Sequence, residues 1–394
     1  MTLAPRDLVL AVFGVGIVTR LVLAFAFFGD VDVGSQLLVD EALDRDLLDV
    51  YATVNAAGYL WPYPPVYFLW LELASGISAV SGLAFHGVVQ LLPIAADAGI
   101  AALIYIYLGW RGAGEPGRLA GVALVMLGPC FIAISGYHGQ IDSVAILPAV
   151  LALMVWERRG HSVRGVESGV LIGVGAAIKW SPLLVVLALA PSARSTREAV
   201  RLFLAAVGVP VAFLLPFFIS APDAVAELRS YSGFAGLGGL NLVLNPGLAS
   251  EWMTGNVESQ QLDGISLFLT DNAGLLVGIA LIALAAFMLR HRPAPIEAAV
   301  LVWLTVYTFL PNFFLHYLVW GLPFFIMAGY LKETAILQLV LIPAILIVYL
   351  IPWPSDQIAI IYVPIMIGVW AFFAAALVTL LSRAVKGFKA ATYP

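Results

Sequence analysis

The sequence predicts an all-α polytopic membrane protein of about 11–13 transmembrane or half-membrane helices, with an outer-face juxtamembrane loop after the first span. Three observations predict it. Of the 394 residues, 62% are hydrophobic and 11% are charged, against about 25% charged in soluble domains. Apolar runs near the ~20 residues that a span needs recur from one end of the chain to the other. The charges gather in the connections between those runs. The whole of 1–394 therefore reads as one transmembrane domain, with no stretch long enough for a soluble one.

The candidate runs are 7–28, 62–84, 87–110, 118–136, 143–156, 166–190, 202–220, 268–289, 296–312, 314–331, 334–352 and 357–382. The first has no small-residue cleavage site and reads as a signal-anchor that stays in the chain. Arg6, Arg111/Arg118, Arg158/Arg159/Arg164, Arg194/Arg197/Arg201, Arg290/Arg292, Lys332 and the tail Arg383/Lys386/Lys389 supply 15 of the 19 basic residues. The positive-inside rule places them in the cytoplasm. The loops around 137–142, 221–267, 311–316 and 353–357 then fall outside.

Two runs break simple alternation. With 29–61 outside and Arg111/Arg118 inside, one of 62–84 and 87–110 does not cross. Pro62, Pro64, Pro65 and Glu72 point to 62–84. The run 166–190 has basic loops on both flanks, yet 25 residues are too few to cross twice at ~1.5 Å per residue. It reads as two short helices meeting at Lys179-Trp180-Ser181-Pro182, since broken backbone at membrane depth is tolerated where it lines a cavity.

The first loop, 29–65, holds seven carboxylates, Asp30, Asp32, Asp40, Glu41, Asp44, Asp46 and Asp49, answered by Arg45 alone. Asp30 and Asp32, just past a helix end, can act as a base with an orienting partner or as metal ligands; the bland alternative is an acidic cap in water. Asp40 to Asp49 follow helical spacing and read as the solvated face of a short surface helix. The second large outer loop, 221–267, alternates Gly, Asn and Ser with apolar patches and reads as a cover packed on the membrane surface.

Three further clusters stand out. Tyr137-His138-Gly139-Gln140-Ile141-Asp142 packs polar groups between two apolar runs, where they need water or hydrogen bonds. It reads as a sugar or acceptor site with His138, Gln140 and Asp142, or as a plain polar turn. Lys179 lies within a span, where a charge costs about 2.5–3.5 kcal/mol. Its natural partner is an anion such as a lipid phosphate, or a structural carboxylate such as Asp97. His316 and Tyr317, at an outer boundary with Trp320, fit an interfacial aromatic belt, though His316 fits it less well. Arg20, mid-span in the first helix, reads more as a structural partner for a carboxylate than as a catalyst. The single cysteine, Cys130, excludes an intramolecular disulfide and a cysteine metal cluster. No Walker A, HExxH, CxxC or dinucleotide-type glycine motif supports nucleotide-driven or zinc chemistry.

In order along the chain, these residues resemble the GT-C superfamily of membrane glycosyltransferases. The matching features are Asp30/Asp32, Tyr63-Pro64-Pro65, the turn Gly139-Gln140-x-Asp142, the glycine-rich helix with Gly173 and Gly175 ending in Lys179 before Pro182, and His316-Tyr317-x-x-Trp320-x-x-Pro323. The first and last look most like the branch containing the first mannosyltransferase of GPI-anchor assembly and its prokaryotic relatives. The Gly-Gln-x-Asp turn departs from that branch. The resemblance implies an inverting transfer on the extracytoplasmic face of the cell membrane, with no cofactor and no metal requirement. The donor would be a polyprenyl- or dolichyl-phosphate sugar, mannose foremost, and the acceptor a lipid-linked or glycan hydroxyl. Membrane lipids are the remaining partners and nucleic acid is not one. Asp32 or Asp30 would be the base, Lys179, His316 and Tyr317 would hold the donor phosphate, and Tyr63, His138, Gln140 and Asp142 would bind sugar or acceptor. The competing class is a transporter or lipid flippase using the same charges without transfer chemistry; the absence of a visible repeat weighs against it.

Overall fold

The structure, a computed structural model, describes residues 5–27, 31–158, 163–231, 233–253, 262, 264–349 and 356–386. Those residues are mostly helical with no strand among them, so this is an all-α polytopic membrane protein. Among the described residues six helical stretches are long and apolar enough to cross a bilayer, Arg6–Ala26, Phe85–Trp110, Glu115–His138, Thr196–Ser220, Ala273–His291 and Ile358–Val385; the bent pair Leu331–Val340 and Ile342–Tyr349 adds a seventh if it is one span. The other apolar runs form shorter helices, among them Pro65–Ser81, Ser181–Ser192, Pro295–Phe309 and Leu315–Met327.

By packing the chain falls into two compact units. The first comprises Met1–Val186 and Ala193–Tyr231; the second comprises Leu187–Ser192 and Ser232–Tyr393.

In the first unit, α1 (Pro5–Ala26) is followed by α2 (Val31–Leu43), α3 (Val50–Ala56) and α4 (Phe68–Ser81). The acidic segment is thus two short helices rather than an open loop. The expected surface helix over 40–49 is absent, because α2 ends at Leu43 and α3 begins at Val50. The 14 residues of α4 extend about 21 Å, short of the ~30 Å hydrocarbon layer. Next come α5 (Phe85–Val89), α6 (Leu91–Trp110), α7 (Glu115–Met126), α8 (Pro129–Ala133) and α9 (Asp142–Arg158), then α10 (Arg164–Ala176), α11 (Val185–Leu189), whose last three residues fall in the second unit, and α12 (Thr196–Ser220). Val33, Val39, Tyr51, Trp61, Tyr63, Tyr67, Ile141 and Ile178 belong to one buried cluster. The juxtamembrane helices therefore share a core with the 141–145 and 178 segments.

Arg20 sits in the second half of α1, fully buried. Its Nε donates to Asp97 Oδ2 at 2.9 Å, and its two terminal nitrogens donate to Met126 O at 2.6 Å and Val125 O at 2.8 Å. Val125 O is open because Pro129, four residues on, has no N–H to give it. Ser135 and Ser143 both donate to Asp97. Every charge in this node is met, as burial requires, and Arg20 is a structural partner.

The helices α10 and α12 lie side by side with their starts together. Arg164 and Glu198 form a buried two-point ion pair, at 2.6 and 3.1 Å. A Cβ at Gly165 would meet Glu198 O, one at Gly169 would meet Leu202 O, and one at Gly173 would meet Val209. The two helices therefore run in the same direction, and segment 177–195 returns the chain to the level at which α10 began. Arg164 and the basic stretch 194–201 lie at one end of this pair, the expected behaviour of two short helices meeting at Lys179. Arg164 itself is buried, not a solvated loop charge. At Gly169 a Cβ would lie 2.5 Å from Leu202 O and 2.7 Å from Ala205 Cβ. Gly169→Val is expected to cost about 1–3 kcal/mol of stability by overpacking, read as a lower thermal midpoint in detergent.

In the second unit, α13 (Pro222–Ala226) having closed the first, the chain forms α14 (Gly239–Leu244), α15 (Leu248–Met253), α16 (Gly264–Asp271), α17 (Ala273–His291) and α18 (Pro295–Phe309). It ends with α19 (Leu318–Met327), α20 (Leu331–Val340), α21 (Ile342–Tyr349) and α22 (Asp356–Val385). Nearly all of α18 and α19 is buried. Tyr307 joins them: its hydroxyl donates to Tyr317 O at 2.8 Å and accepts from Gly321 N at 2.8 Å.

Candidate functional site

The first unit brings Tyr63, Gln140, Asp142 and Lys179 into one polar network. Helix α10 stops at Ala176, and the N–H groups of Ile178 and Lys179 both turn back to Gly175 O. Pro182 then opens a 3₁₀ turn, Ser181–Leu184. Lys179, 5% exposed, sits at this break. Its Nζ lies 2.7 Å from Asp142 Oδ1, 3.4 Å from Gln140 Oε1 and 4.7 Å from the centre of the Tyr63 ring. Asp142 has no exposed surface. Lys179 thus pairs with Asp142, while Asp97 belongs to Arg20. The two nodes are neighbours on α9, since Ser143 serves Asp97.

The turn that delivers Gln140 and Asp142 is a π-helical turn, Ile134–His138, ended by Gly139 at φ +74°. Single π turns recur at functional sites. The left-handed conformation suits glycine, and a Cβ there would come within 2.6 Å of Val33 Cγ2 and 3.2 Å of Gln90 Cγ. Gln140 Nε2 donates to the Tyr63 hydroxyl at 3.3 Å. His138 is buried two residues before Gln140.

Tyr63 is held from its own backbone. Tyr51 donates its hydroxyl to Tyr63 O at 2.8 Å, and the Trp61 ring meets Tyr63 edge-on at 4.9 Å. Directly after the Pro pair, Val66 N donates to Ala177 O at 3.1 Å. The Tyr-Pro-Pro segment therefore docks on the same break that presents Lys179.

Asp30 lies outside the described residues. Asp32 is in the first turn of α2. Gln36, one helical turn later, donates from Nε2 to Gly139 O at 2.8 Å and accepts at Oε1 from the Tyr67 hydroxyl at 3.1 Å. The sequence reading missed Gln36, Tyr51 and Tyr67. The available signal for Gln36 was its spacing of four from Asp32, which puts both positions on one helix face.

Asp40 corrects an expectation. It is 6% exposed, whereas Glu41, Asp44, Asp46 and Asp49 are exposed as expected. Burial, then the carboxylates of Asp44, Glu72 and Glu41, push its pKa up from 3.8 to about 6, against a hydrogen bond with Ser75. A raised carboxyl pKa means the fold favours the neutral acid. The added stability is full below about pH 4 and is lost as pH rises through about 6. Asp40→Asn is therefore expected to raise the thermal midpoint by a few degrees near pH 8 and to flatten its fall between about pH 4 and 6.

His316 and Tyr317 belong to the second unit, in the turn Leu315–Tyr317. Both are buried. His316 stacks on Phe314 with ring centres 5.2 Å apart, and Tyr317 stacks on Trp320 at 4.0 Å. Tyr317 and Trp320 are interior residues, not a lipid-facing belt.

A search of curated proteins finds none that matches the chain. The family model for glycosyltransferase family 87 matches residues 61–315. That span runs from Trp61 to Leu315 and takes in Tyr63, the Gly139–Asp142 turn and Lys179. A membrane-embedded, apolar helical chain with a buried cation at a helix break is thereby placed among enzymes that handle sugars: the chain belongs to glycosyltransferase family 87.

Proposed function

We propose that this enzyme transfers a sugar, mannose foremost, from a polyprenyl- or dolichyl-phosphate carrier to a lipid-linked or glycan hydroxyl on the extracytoplasmic side of the cell membrane, with inversion. This is the GT-C type of transfer. The observation that carries the reading is the buried Lys179–Asp142 pair, linked to Gln140 and Tyr63, at a break in the glycine-rich helix. A single ammonium at membrane depth suits the single charge of a carrier phosphodiester, whose lipid tail reaches the site through the bilayer. Gln140 and Tyr63, beside the cation, offer the amide and hydroxyl that a sugar ring engages.

The acceptor hydroxyl attacks the anomeric carbon, and the bond from that carbon to the phosphate oxygen breaks. The hydroxyl proton passes to the Asp32 carboxylate, with Asp30 as its partner, and the carrier phosphate leaves with the bonding pair. Lys179 offsets the charge that develops on the leaving oxygen. His316 and Tyr317 are assigned to the same phosphate on the sequence resemblance alone. Nothing in the family assignment or in the helix arrangement supports the transport reading.

The test is transfer by the purified protein in detergent from radiolabelled polyprenyl-phosphate mannose to a membrane lipid or glycan extract, with and without EDTA. EDTA-resistant formation of a labelled product is the expected result. No transfer from this donor, or from polyprenyl-phosphate glucose, together with uptake of substrate by proteoliposomes, would overturn the reading.

A further inference from the structure

Gln36 joins α2 to both halves of the polar network. Its amide nitrogen donates to Gly139 O, on the turn that carries Gln140 and Asp142. Its amide oxygen accepts from Tyr67, one residue after the Val66 N–H that binds the break before Lys179. Gln36 is 2% exposed and Tyr67 is 1% exposed, so neither bond competes with water. Val33 closes against Gly139 from the same helix, so tightly that a Cβ on that glycine would overlap it. An amide is suited to this place because it supplies one donor and one acceptor on a planar group. Asp32 precedes Gln36 by four residues, one helical turn.

We infer that Gln36 is a positioning residue for sugar transfer: it locks the helix bearing Asp32 to the turn bearing Gln140 and Asp142. The inference rests on the proposed reading of Asp32 as the base and Lys179 as the phosphate-binding cation. Its physical content is register. The amide bonds fix how far α2 advances along the turn and how it is rotated about its axis. A base displaced by about 1 Å from its proton loses on the order of 10²-fold in rate, while the phosphate site, held by Lys179, is untouched. Gln36 therefore acts on kcat and not on donor KM.

The experiment measures kcat and donor KM for the full-length protein in detergent, with polyprenyl-phosphate mannose as donor. The variants are Gln36→Met, Gln36→Glu and Tyr67→Phe, with Gln36→Met also built on Asp32→Asn. Gln36→Met keeps the volume and removes both bonds. It is expected to lower kcat about 10–100-fold with donor KM within about two-fold. Gln36→Glu keeps the acceptor for Tyr67 but loses the donor to Gly139 O, and is expected to fall with Gln36→Met. Tyr67→Phe, which spares the Gly139 bond, is expected to fall by less. On the Asp32→Asn background, where there is no base left to misplace, Gln36→Met is expected to cost less than about two-fold, a departure from additivity that marks residues acting as a unit. A merely structural role would lower the yield or the thermal midpoint and leave kcat per folded molecule alone.

Wild-type kcat in folded Gln36→Met and Gln36→Glu, with Asp32→Asn inactive, would overturn the inference and leave the base assignment standing. An equal loss from Gln36→Met with and without Asp32 would also overturn it. Full activity of Asp32→Asn would overturn the base assignment and the inference together. If Gln36→Met does not accumulate as folded protein, the kcat of Gln36→Glu and Tyr67→Phe decides the matter in the same way.

Discussion

Asp32→Asn is expected to lower kcat by about 10²–10⁴-fold, the range that positioned proton transfer supplies, with little change in donor KM or in thermal midpoint. Asparagine has the shape of aspartate but cannot take a proton. An acceptor hydroxyl is a poor nucleophile until its proton begins to leave, so the loss falls on the chemical step. Asp30→Asn is the comparison. If Asp30 orients Asp32, its loss is smaller and does not multiply with that of Asp32→Asn, because groups acting as a unit are not additive. If the larger loss is at Asp30, the two roles are exchanged. The assay is single-turnover transfer of labelled sugar, which isolates the chemistry from product release. Normal transfer by folded Asp32→Asn would remove the assignment.

The parts of this molecule that sequence reading reaches are those marked by breakers and stray charges. Lys179 ahead of Pro182, between two basic stretches, required a return of the chain. The adjoining starts of α10 and α12 show that return through Arg164–Glu198 and Gly169. Pro62, Pro64, Pro65 and Glu72 likewise marked 62–84 as the run that does not cross, and its helix, α4, is short. Burial on a short helix was not legible. Asp40 and Asp44 are four residues apart and both aspartates, yet only Asp40 is covered, because the hydrogen bond to Ser75 ties it to α4 whereas α2 ends before Asp44. Partner choice was not legible either. Asp97 was the candidate for Lys179, but Arg20 takes it, since the gap left by Pro129 gives the same guanidinium a second set of acceptors. Gln36 carries no unusual composition or motif, and its importance shows only when Gly139 and Tyr67 are brought to it. Identifying a glycosyltransferase rested on the order of several weak motifs, and the family match covers most of them.

The second large effect is expected at Lys179, and it has two components that a pair of variants separates. Lys179→Met leaves the Asp142 carboxylate, with no exposed surface and its ammonium partner gone from 2.7 Å. Breaking a buried pair from one side costs about 3–5 kcal/mol, because the remaining charge stays buried. The single variant is therefore expected to lose stability and activity together, which by itself says nothing about function. Lys179→Met with Asp142→Asn removes both charges. The stability of the double variant is expected to recover most of that loss, giving a coupling in the upper part of the ~0.5–3 kcal/mol range for contacting residues. Its transfer rate is not expected to recover. A preorganised group at a site of developing negative charge is worth about 10²–10³-fold in kcat, and neither methionine nor asparagine replaces the ammonium. Thermal unfolding in detergent and single-turnover transfer, measured on the three variants, read the two components separately. A double variant that regains both stability and activity would make Lys179–Asp142 a structural pair, like Arg20–Asp97, the node that Ser143 joins one residue along α9. A double variant that is stable and inactive leaves the leaving phosphate as the charge for which Lys179 is buried.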